Sequence, residues 1–369
     1  MSRGPTSRPI LLPALRWYWR DPYRLQIGTA PDRAVILELT DPTAAKTLDL
    51  LDGTRTHAGV LRAAAARDIA AAEAKRIISE LTAAGLVIDA ATIRLSGVPD
   101  GTRRRLEPET AALAYRPGLG DGTPAEIVRR RLAARVLITG AGQLGVPIAC
   151  ALASAGIGHV DTDVSGITQM GDATPGGFVP ADAMRPRILA AAEAVRRAAP
   201  DVEVGPLRKG SATFAVLVGF AAPATLTALS YANRCLAHLA VAVRDATVIV
   251  GPLVVPGQTP CLNCLDLHRR DRDPGWPAVA AQLPTSAEAP EPIAATTALS
   301  AAAYAAAEVL AYIDGATPRT AGATVEIPQA GEWIRRQWTH HPGCRCLRRS
   351  SRGRGRAASL RGAAQTVTT

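Results

Sequence analysis

Two closely spaced cysteine pairs, Cys261-Leu262-Asn263-Cys264 and Cys344-Arg345-Cys346, carry the strongest chemical signal in the chain. Each pair can bring two thiolates onto one metal ion, and four thiolates close a tetrahedral zinc site that leaves no position for water or substrate. Such a site is structural rather than catalytic. It would tie the loop after the apolar stretch 247–253 to the far end of the folded chain. A pair of redox disulfides is the competing reading; in a reducing compartment close cysteine pairs serve more often as thiolate ligands. His340 and His341 lie just before the second pair, but four sulfurs already satisfy the metal, and both are read as bystanders. Cys150 and Cys235 fall on expected helices with apolar neighbours, as buried thiols do.

A second signal is the run Gly140-Ala141-Gly142-Gln143-Leu144-Gly145, which follows the apolar segment 135–139 and opens a helix expected over 146–155. In that strand–turn–helix setting Gly140 supplies a tight turn, Gly142 lets backbone approach a phosphate, and Gly145 lets the helix pack on the strand, with its N-terminus facing the anion. A carboxylate at the end of the next strand would hold ribose hydroxyls. Asp161 and Asp163, 16 and 18 residues beyond Gly145, are the candidates, although 159–164 is polar for a central strand. The alternative is a turn kept as scaffold after its ligand was lost.

These groups need elements to hold them. Beyond the turn a βα rhythm continues with a helix at 187–198, a strand at 214–219, a helix at 223–238 and strands at 240–244 and 247–253, which argues for a doubly wound, Rossmann-like α/β sheet. A smaller unit precedes it over 10–95. Segments 25–27 and 35–39 read as a hairpin across Thr29, Pro31 and Asp32. Asp41 and Pro42 suit the start of a helix from Thr43, and further helices are expected at 56–66 and 71–84, the last with Ile77, Ile78 and Leu81 on one face and Gly85 beyond its end. A strand at 86–88 closes a winged-helix-like α+β pattern. Residues 96–124, rich in Gly, Pro and Arg, read as a connection, 125–347 as the α/β domain with its zinc site, and 348–369 as a disordered basic tail.

The chain has 369 residues, 47% apolar and 20% charged, enough to bury two cores. Basic residues exceed acidic by 42 to 32, but Arg345, Arg348, Arg349, Arg352, Arg354, Arg356 and Arg361 crowd the end, so the folded part is near balance. A solvated end is the plainer reading of that tail, and polyanion contact the sharper one. No recognition helix in the first unit is basic, so nucleic acid is not expected as a partner. The Ala-rich stretch 294–311 is interrupted by Thr296, Thr297, Ser300 and Glu308 and reads as a helix of a globular protein, so no membrane is expected. The N-terminus lacks an apolar signal segment, which makes the cytoplasm the expected compartment.

Residues 125–347 resemble the ThiF/MoeB/ubiquitin-activating adenylating proteins in the order of the glycine turn, Gly251-Pro252-Leu253 before Cys-x-x-Cys, and the terminal Cys-x-Cys. More closely, Thr259-Pro260-Cys261-Leu262-Asn263-Cys264-Leu265-Asp266-Leu267-His268-Arg269, Asp273-Pro274-Gly275-Trp276-Pro277 and the ending from Trp338 to Cys346 look like the ThiF-like components of actinobacterial azole-forming peptide cyclodehydratase systems. Residues 10–90 are similar to the PqqD-like domain of such proteins. The resemblance implies ATP as the ligand of the turn, a ribosomal precursor leader peptide and a YcaO-type enzyme as partners, and a homodimer through the α/β domain. It also implies that the leader adds as a strand along 34–39, with Val35 and Leu37 on the strand and Lys75, Arg76 and Ser79 on the third helix as peptide-binding positions.

Departures from the family pattern limit what carries over. Adenylating members meet the triphosphate with an Arg and a Lys and position Mg²⁺ with an Asp, fixed charge against developing charge. Here no lysine lies between Lys75 and Lys209, and Arg187, or Arg185, is the stand-in cation. Asp172-Ala-Thr-Pro-Gly-Gly177 replaces Asn-x-x-Arg, Gly219-Phe220-Ala221 stands where the Asp should be, and the crossover between Cys264 and Cys344 holds no cysteine. With one such charge often contributing about 3 kcal/mol, little adenylation is expected. The leading expectation is a non-catalytic, leader-binding scaffold that serves a cyclodehydratase. An ATP-dependent adenylyltransferase using Gly142, Asp163 and Arg187 is the alternative. A nicotinamide oxidoreductase rests on the glycine turn alone, and a DNA-binding winged helix on the first unit alone.

Overall fold

The computed structural model describes residues 7–116, 118, 120–140, 142–208, 210–219, 226–282 and 291–346; Phe220, Ala221 and the Arg-rich tail lie outside the described residues, as do 223–225 of the expected helix at 223–238. The chain divides into two compact units, Met1–Arg129 and Arg130–Thr369.

In the first unit, β1 (Pro9–Leu11) is followed by β2 (Trp17–Asp21), β3 (Arg24–Ile27) and β4 (Val35–Glu38). The last three form an antiparallel sheet in the order β2-β3-β4, with Leu25 opposite Leu37 and Ile27 opposite Val35. Alternation drives one face inward: Leu25, Ile27 and Leu37 are buried, while Ile36 is exposed. A 3₁₀ helix at Pro42–Leu50 starts where Asp41 accepts the Thr43 N–H at 2.7 Å. Next comes α1 (His57–Ala65), which Thr56 caps by accepting the Gly59 N–H. In α2 (Ala71–Ala83), Ala74, Ile77, Ile78 and Leu81 recur at helical spacing and are buried, each of the larger three contributing about 1.5–3 kcal/mol. Gly85 at φ +72° ends it, and β5 (Val87–Asp89) returns antiparallel to β1.

The stretch 96–124, expected as a connection, holds α3 (Asp100–Ala114). Its buried residues Thr102, Leu106, Thr110 and Leu113 are spaced as a helix requires, but two of the four are threonines, and Gly101 and Pro108 obscure the pattern. Strands β1 and β2 likewise have no clear signal in the sequence. β1 has three residues and exists by pairing with the distant β5, Pro9 opposite Asp89, while β2 is a local hairpin partner of β3 whose exposed residues show no apolar alternation.

The second unit opens within α4 (Pro124–Ala133), whose Arg131 makes a buried two-pronged ion pair with Asp314 at 2.8 and 2.6 Å. There follow β6 (Arg135–Gly140), α5 (Gly145–Ser154), β7 (His159–Asp163), α6 (Arg187–Ala198), β8 (Glu203–Val204), β9 (Phe214–Val218), α7 (Leu226–Asn233), β10 (His238–Arg244) and β11 (Thr247–Val254). The chain continues through α8 (Leu262–Arg272), α9 (Trp276–Ala280), α10 (Ala295–Ile313), β12 (Ala323–Ile327) and β13 (Ile334–Gln337). One eight-stranded sheet results, in the order β13-β12-β11-β10-β9-β6-β7-β8, parallel from β8 to β10 and antiparallel from β10 to β13. Every residue of β9 is buried, as a parallel strand covered on both faces demands. The polar strand β7 keeps its place because His159 bonds Gly205 O at 2.9 Å and Asp161 accepts the Leu207 N–H at 2.9 Å.

Successive strands run outward from β6 through β7 to β8, then return to β9 on the other side of β6. That reversal opens a crevice at the carboxyl ends of β6 and β9, where α/β sheets bind ligands. Among the described residues α10 is the one helix long and apolar enough to cross a membrane, but it packs on α5 and β11. It buries Ala298, Ala301, Ala305 and Val309, and its buried Glu308 accepts the Thr320 N–H and hydroxyl at 2.6 Å each.

Candidate functional site

The four cysteines converge. Cys261 and Cys264 sit at the N-terminal end of α8, Cys344 and Cys346 beyond β13, and their sulfurs all lie within 4.8 Å of one another. The distances are 3.8 Å for Cys261–Cys264, 3.6 Å for Cys261–Cys344 and 3.6 Å for Cys264–Cys346. A regular tetrahedron with metal–sulfur bonds of about 2.3 Å has edges of about 3.8 Å, so the set fits a zinc-sized ion. A disulfide needs sulfurs about 2.05 Å apart, and all six cysteines of the chain are free. Burial, then the neighbouring Cys264 sulfur, push the Cys346 thiol up to about 12. Cys261 is likewise held up, by its contact with Cys264, whose own thiol is lowered by the same contact; a bound dication would deprotonate its thiols.

Surrounding groups hold the knot. Asn263 Nδ2 donates to Cys344 Sγ at 3.2 Å, and His340 Nδ1 lies 3.5 Å from Cys346 Sγ, outside the sulfur set but in contact with it. His341 faces away, its Nε2 2.7 Å from Asp271. On the same helix Arg269 stacks over Trp276 at 5.1 Å and Trp338 at 6.0 Å, and Arg272 over Trp338 at 5.3 Å. Burial holds the Arg269 guanidinium below its ordinary range, helped by nearby Arg244. Of the two remaining cysteines, Cys150 is buried on α5 as expected, and burial raises its thiol to about 11. Cys235 departs from expectation: α7 has ended by Asn233, and Cys235 sits exposed in a turn at φ +54°.

At the crevice Gly140 and Gly142 are sterically required, while Gly145 packs at ordinary contact distance. A Cβ on Gly140, whose φ is +117°, would fall 1.9 Å from Val218 O; one on Gly142 would meet Val218 Cγ1 at 2.7 Å and Gly219 N at 3.1 Å; one on Gly145 would touch Ile138 at 3.4 Å. The turn is therefore packed against the end of β9. Asp163 closes β7, exposed and 3.5 Å from the Thr139 hydroxyl. Asp161 is half-buried, and that burial lifts its carboxyl above the ordinary range against the Leu207 N–H, which holds it down. Arg187 begins α6 with Nη1 2.7 Å from Asp172 Oδ2 and its guanidinium over Phe178, so the expected stand-in cation is already ion-paired. Arg185 is spent on Glu193 and Asp182 at the surface. Sequence reading missed Glu291, whose Oε2 accepts the Gln143 N–H at 3.0 Å. Its position before α10 holds no motif; only the tertiary fold brings it to a turn 148 residues away.

In the first unit β4 is an edge: among the described residues no strand pairs with its outer side. Register decides which groups face out. Leu39 N–H bonds Tyr23 O across the β3–β4 pair, so alternation turns Val35 and Leu37 toward β3 and leaves the N–H and C=O of Ile36 and Glu38 pointing outward. Val35 and Leu37, the expected peptide-binding positions, thus give their backbone groups to β3, and the Leu37 side chain is 1% exposed in the core. On α2, Lys75 and Ser79 are exposed, whereas Arg76 is held by Glu73 and Glu80 and donates to Glu38 O on the strand edge.

The switch-point crevice, the packed glycine turn and the four-cysteine cluster together define a Rossmann-like α/β domain with a candidate metal knot. Residues 123–221 match the ThiF family. Solved structures align over nearly the whole chain: E. coli MccB with MccA at 16% identity and TM-score 0.62, covering 92% of this chain and 99% of that one; and E. coli MccB with ATP at 15% identity and TM-score 0.60, with the same coverage. The heterocyclase TruD aligns at 14% identity and TM-score 0.57 over 92% of this chain and 43% of its own. No curated protein matches the chain by sequence.

Proposed function

We propose that this chain binds a ribosomal precursor peptide through residues 10–95 and presents it to a separate YcaO-type modifying enzyme that installs azoles, its α/β domain acting as a non-adenylating, zinc-stapled scaffold. The unpaired edge of β4 beside α2 carries this reading. A leader strand laid along that edge would take main-chain bonds from Ile36 and Glu38, with Lys75 and Ser79 beside it to select side chains; each bond contributes about 0.5–1.5 kcal/mol. Arg76, donating to Glu38 O, fixes the edge rather than gripping the peptide. Likeness in fold to MccB solved with MccA, and to a heterocyclase, supports a peptide partner. The engagement of Arg187 by Asp172 supports the absence of adenylation, since no free cation is then offered to a triphosphate at that position. The test is fluorescence anisotropy of the full chain with labelled leader segments of short reading frames neighbouring its gene. Saturable binding of one leader is expected, and no affinity for any of them would remove the reading.

The likeness to MccB solved with ATP favours a second reading, adenylation of a peptide carboxylate with Gly142, Asp163 and Arg187 at the nucleotide. Pyrophosphate exchange separates the two. No substrate-dependent exchange is expected; exchange that is present and lost in Arg187→Ala would establish the enzyme and overturn the scaffold.

A further inference from the structure

Helix α5 begins without a side-chain cap of its own, because Leu144 at its N-cap has no polar group to offer the free N–H groups there. A helix start of this kind attracts an anion. Just before that start lies the half-buried carboxylate of Glu291: Oε2 accepts the Gln143 N–H, one residue ahead of the N-cap, at 3.0 Å and lies 3.2 Å from the point where a Cβ on Gly142 would sit. Gln143 is itself 5% exposed and anchored through Nε2 to Gly171 O at 3.2 Å, so the amide that donates is fixed in place. Burial raises the Glu291 carboxyl above its ordinary range, while the Gln143 N–H and the charge of Arg187 hold it down and Asp172 adds to the rise. Two carboxylates, Glu291 and Asp172, thus share the field of one guanidinium, and Arg187 Nη1 is given to Asp172.

We propose that Glu291 is the built-in anion of the 140–145 turn, so that a phosphate group enters only by displacing it. The Gln143 amide that would face an anion is given to a carboxylate of the same chain, which also feels the charge of Arg187. An entering polyphosphate meets like charge at the one position where the turn would welcome it. Arg187 Nε, buried and without a hydrogen-bond partner among the described residues, is the donor left for such a ligand once Glu291 is gone. The proposal deepens the non-adenylating reading by naming what withholds the turn from nucleotide, and it rests on that reading.

The experiment is calorimetric titration of ATP, and separately of inorganic pyrophosphate, into the full-length wild type, Glu291→Gln and Glu291→Ala, with circular dichroism showing that each variant is folded. Glu291→Gln keeps the shape and removes the charge; Glu291→Ala removes both. Expected is affinity about tenfold or more tighter in Glu291→Ala, an intermediate gain in Glu291→Gln, and loss of the gain in Glu291→Ala/Arg187→Ala. Affinities within twofold of wild type, weaker ones, or no binding by either variant would overturn the proposal. No peptide is present in the assay, so its failure leaves peptide binding to β4 standing, and failure of peptide binding leaves this result untouched.

Discussion

Cys264→Ala is expected to abolish stoichiometric metal and to unfold the second unit at markedly lower temperature. The sulfur is fully buried, 3.8 Å from Cys261 Sγ and 3.6 Å from Cys346 Sγ, so its loss opens one vertex of the tetrahedron from inside. Structural zinc contributes about 10–16 kcal/mol of folding free energy in small peptides that have no other core. This unit has a large core of its own, so the expected loss is smaller, about 3–5 kcal/mol, which for a unit of 150–250 residues lowers Tm by about 10–15 °C. Elemental analysis of the pure wild type should find one zinc per chain, and prolonged chelation should reproduce the variant's melt. Cys235→Ala, an exposed thiol outside the set, should change neither quantity. A wild type without metal, or a Cys264→Ala protein that melts with it, would show that the four sulfurs gather for another reason.

Ile36→Pro is expected to weaken leader-peptide binding by about tenfold to a hundredfold while leaving the first unit folded. The Ile36 N–H points away from β3, so proline there removes no bond of the β3–β4 ladder and places its ring on the side where an added strand would lie. One lost main-chain bond accounts for about 0.5–1.5 kcal/mol, and the displaced strand for the remainder. Leu37→Pro, one residue along, removes a donor that faces β3 and strains the core position of Leu37; it is expected to cost about 3 kcal/mol or more of stability. Anisotropy for the peptide and thermal melts for the domain separate the two effects. Full affinity in Ile36→Pro would move the peptide elsewhere, to the β2 edge or off the unit.

Much of this arrangement is local chemistry and is therefore written in the chain. Glycine is needed where Val218 O crowds Gly140, and that need shows as a spaced motif after an apolar strand. Asp41 and Thr56 cap their own helices within three residues, and Gly85 ends α2, so starts and stops could be read from neighbours. Two cysteine pairs with short spacing mark a candidate metal site before any fold is known. What tertiary structure decided depends on parity and on distance. Leu37 and Ile36 look alike as strand residues, and only the Leu39–Tyr23 bond settles which of them shows its backbone to an incoming peptide. Arg187 could be read as a free cation until Asp172 came within 2.7 Å. Glu291, an ordinary acidic residue in the sequence, became the anion of a glycine turn because the packing of α10 on α5 and β11 carries its N-terminal approach across the crevice.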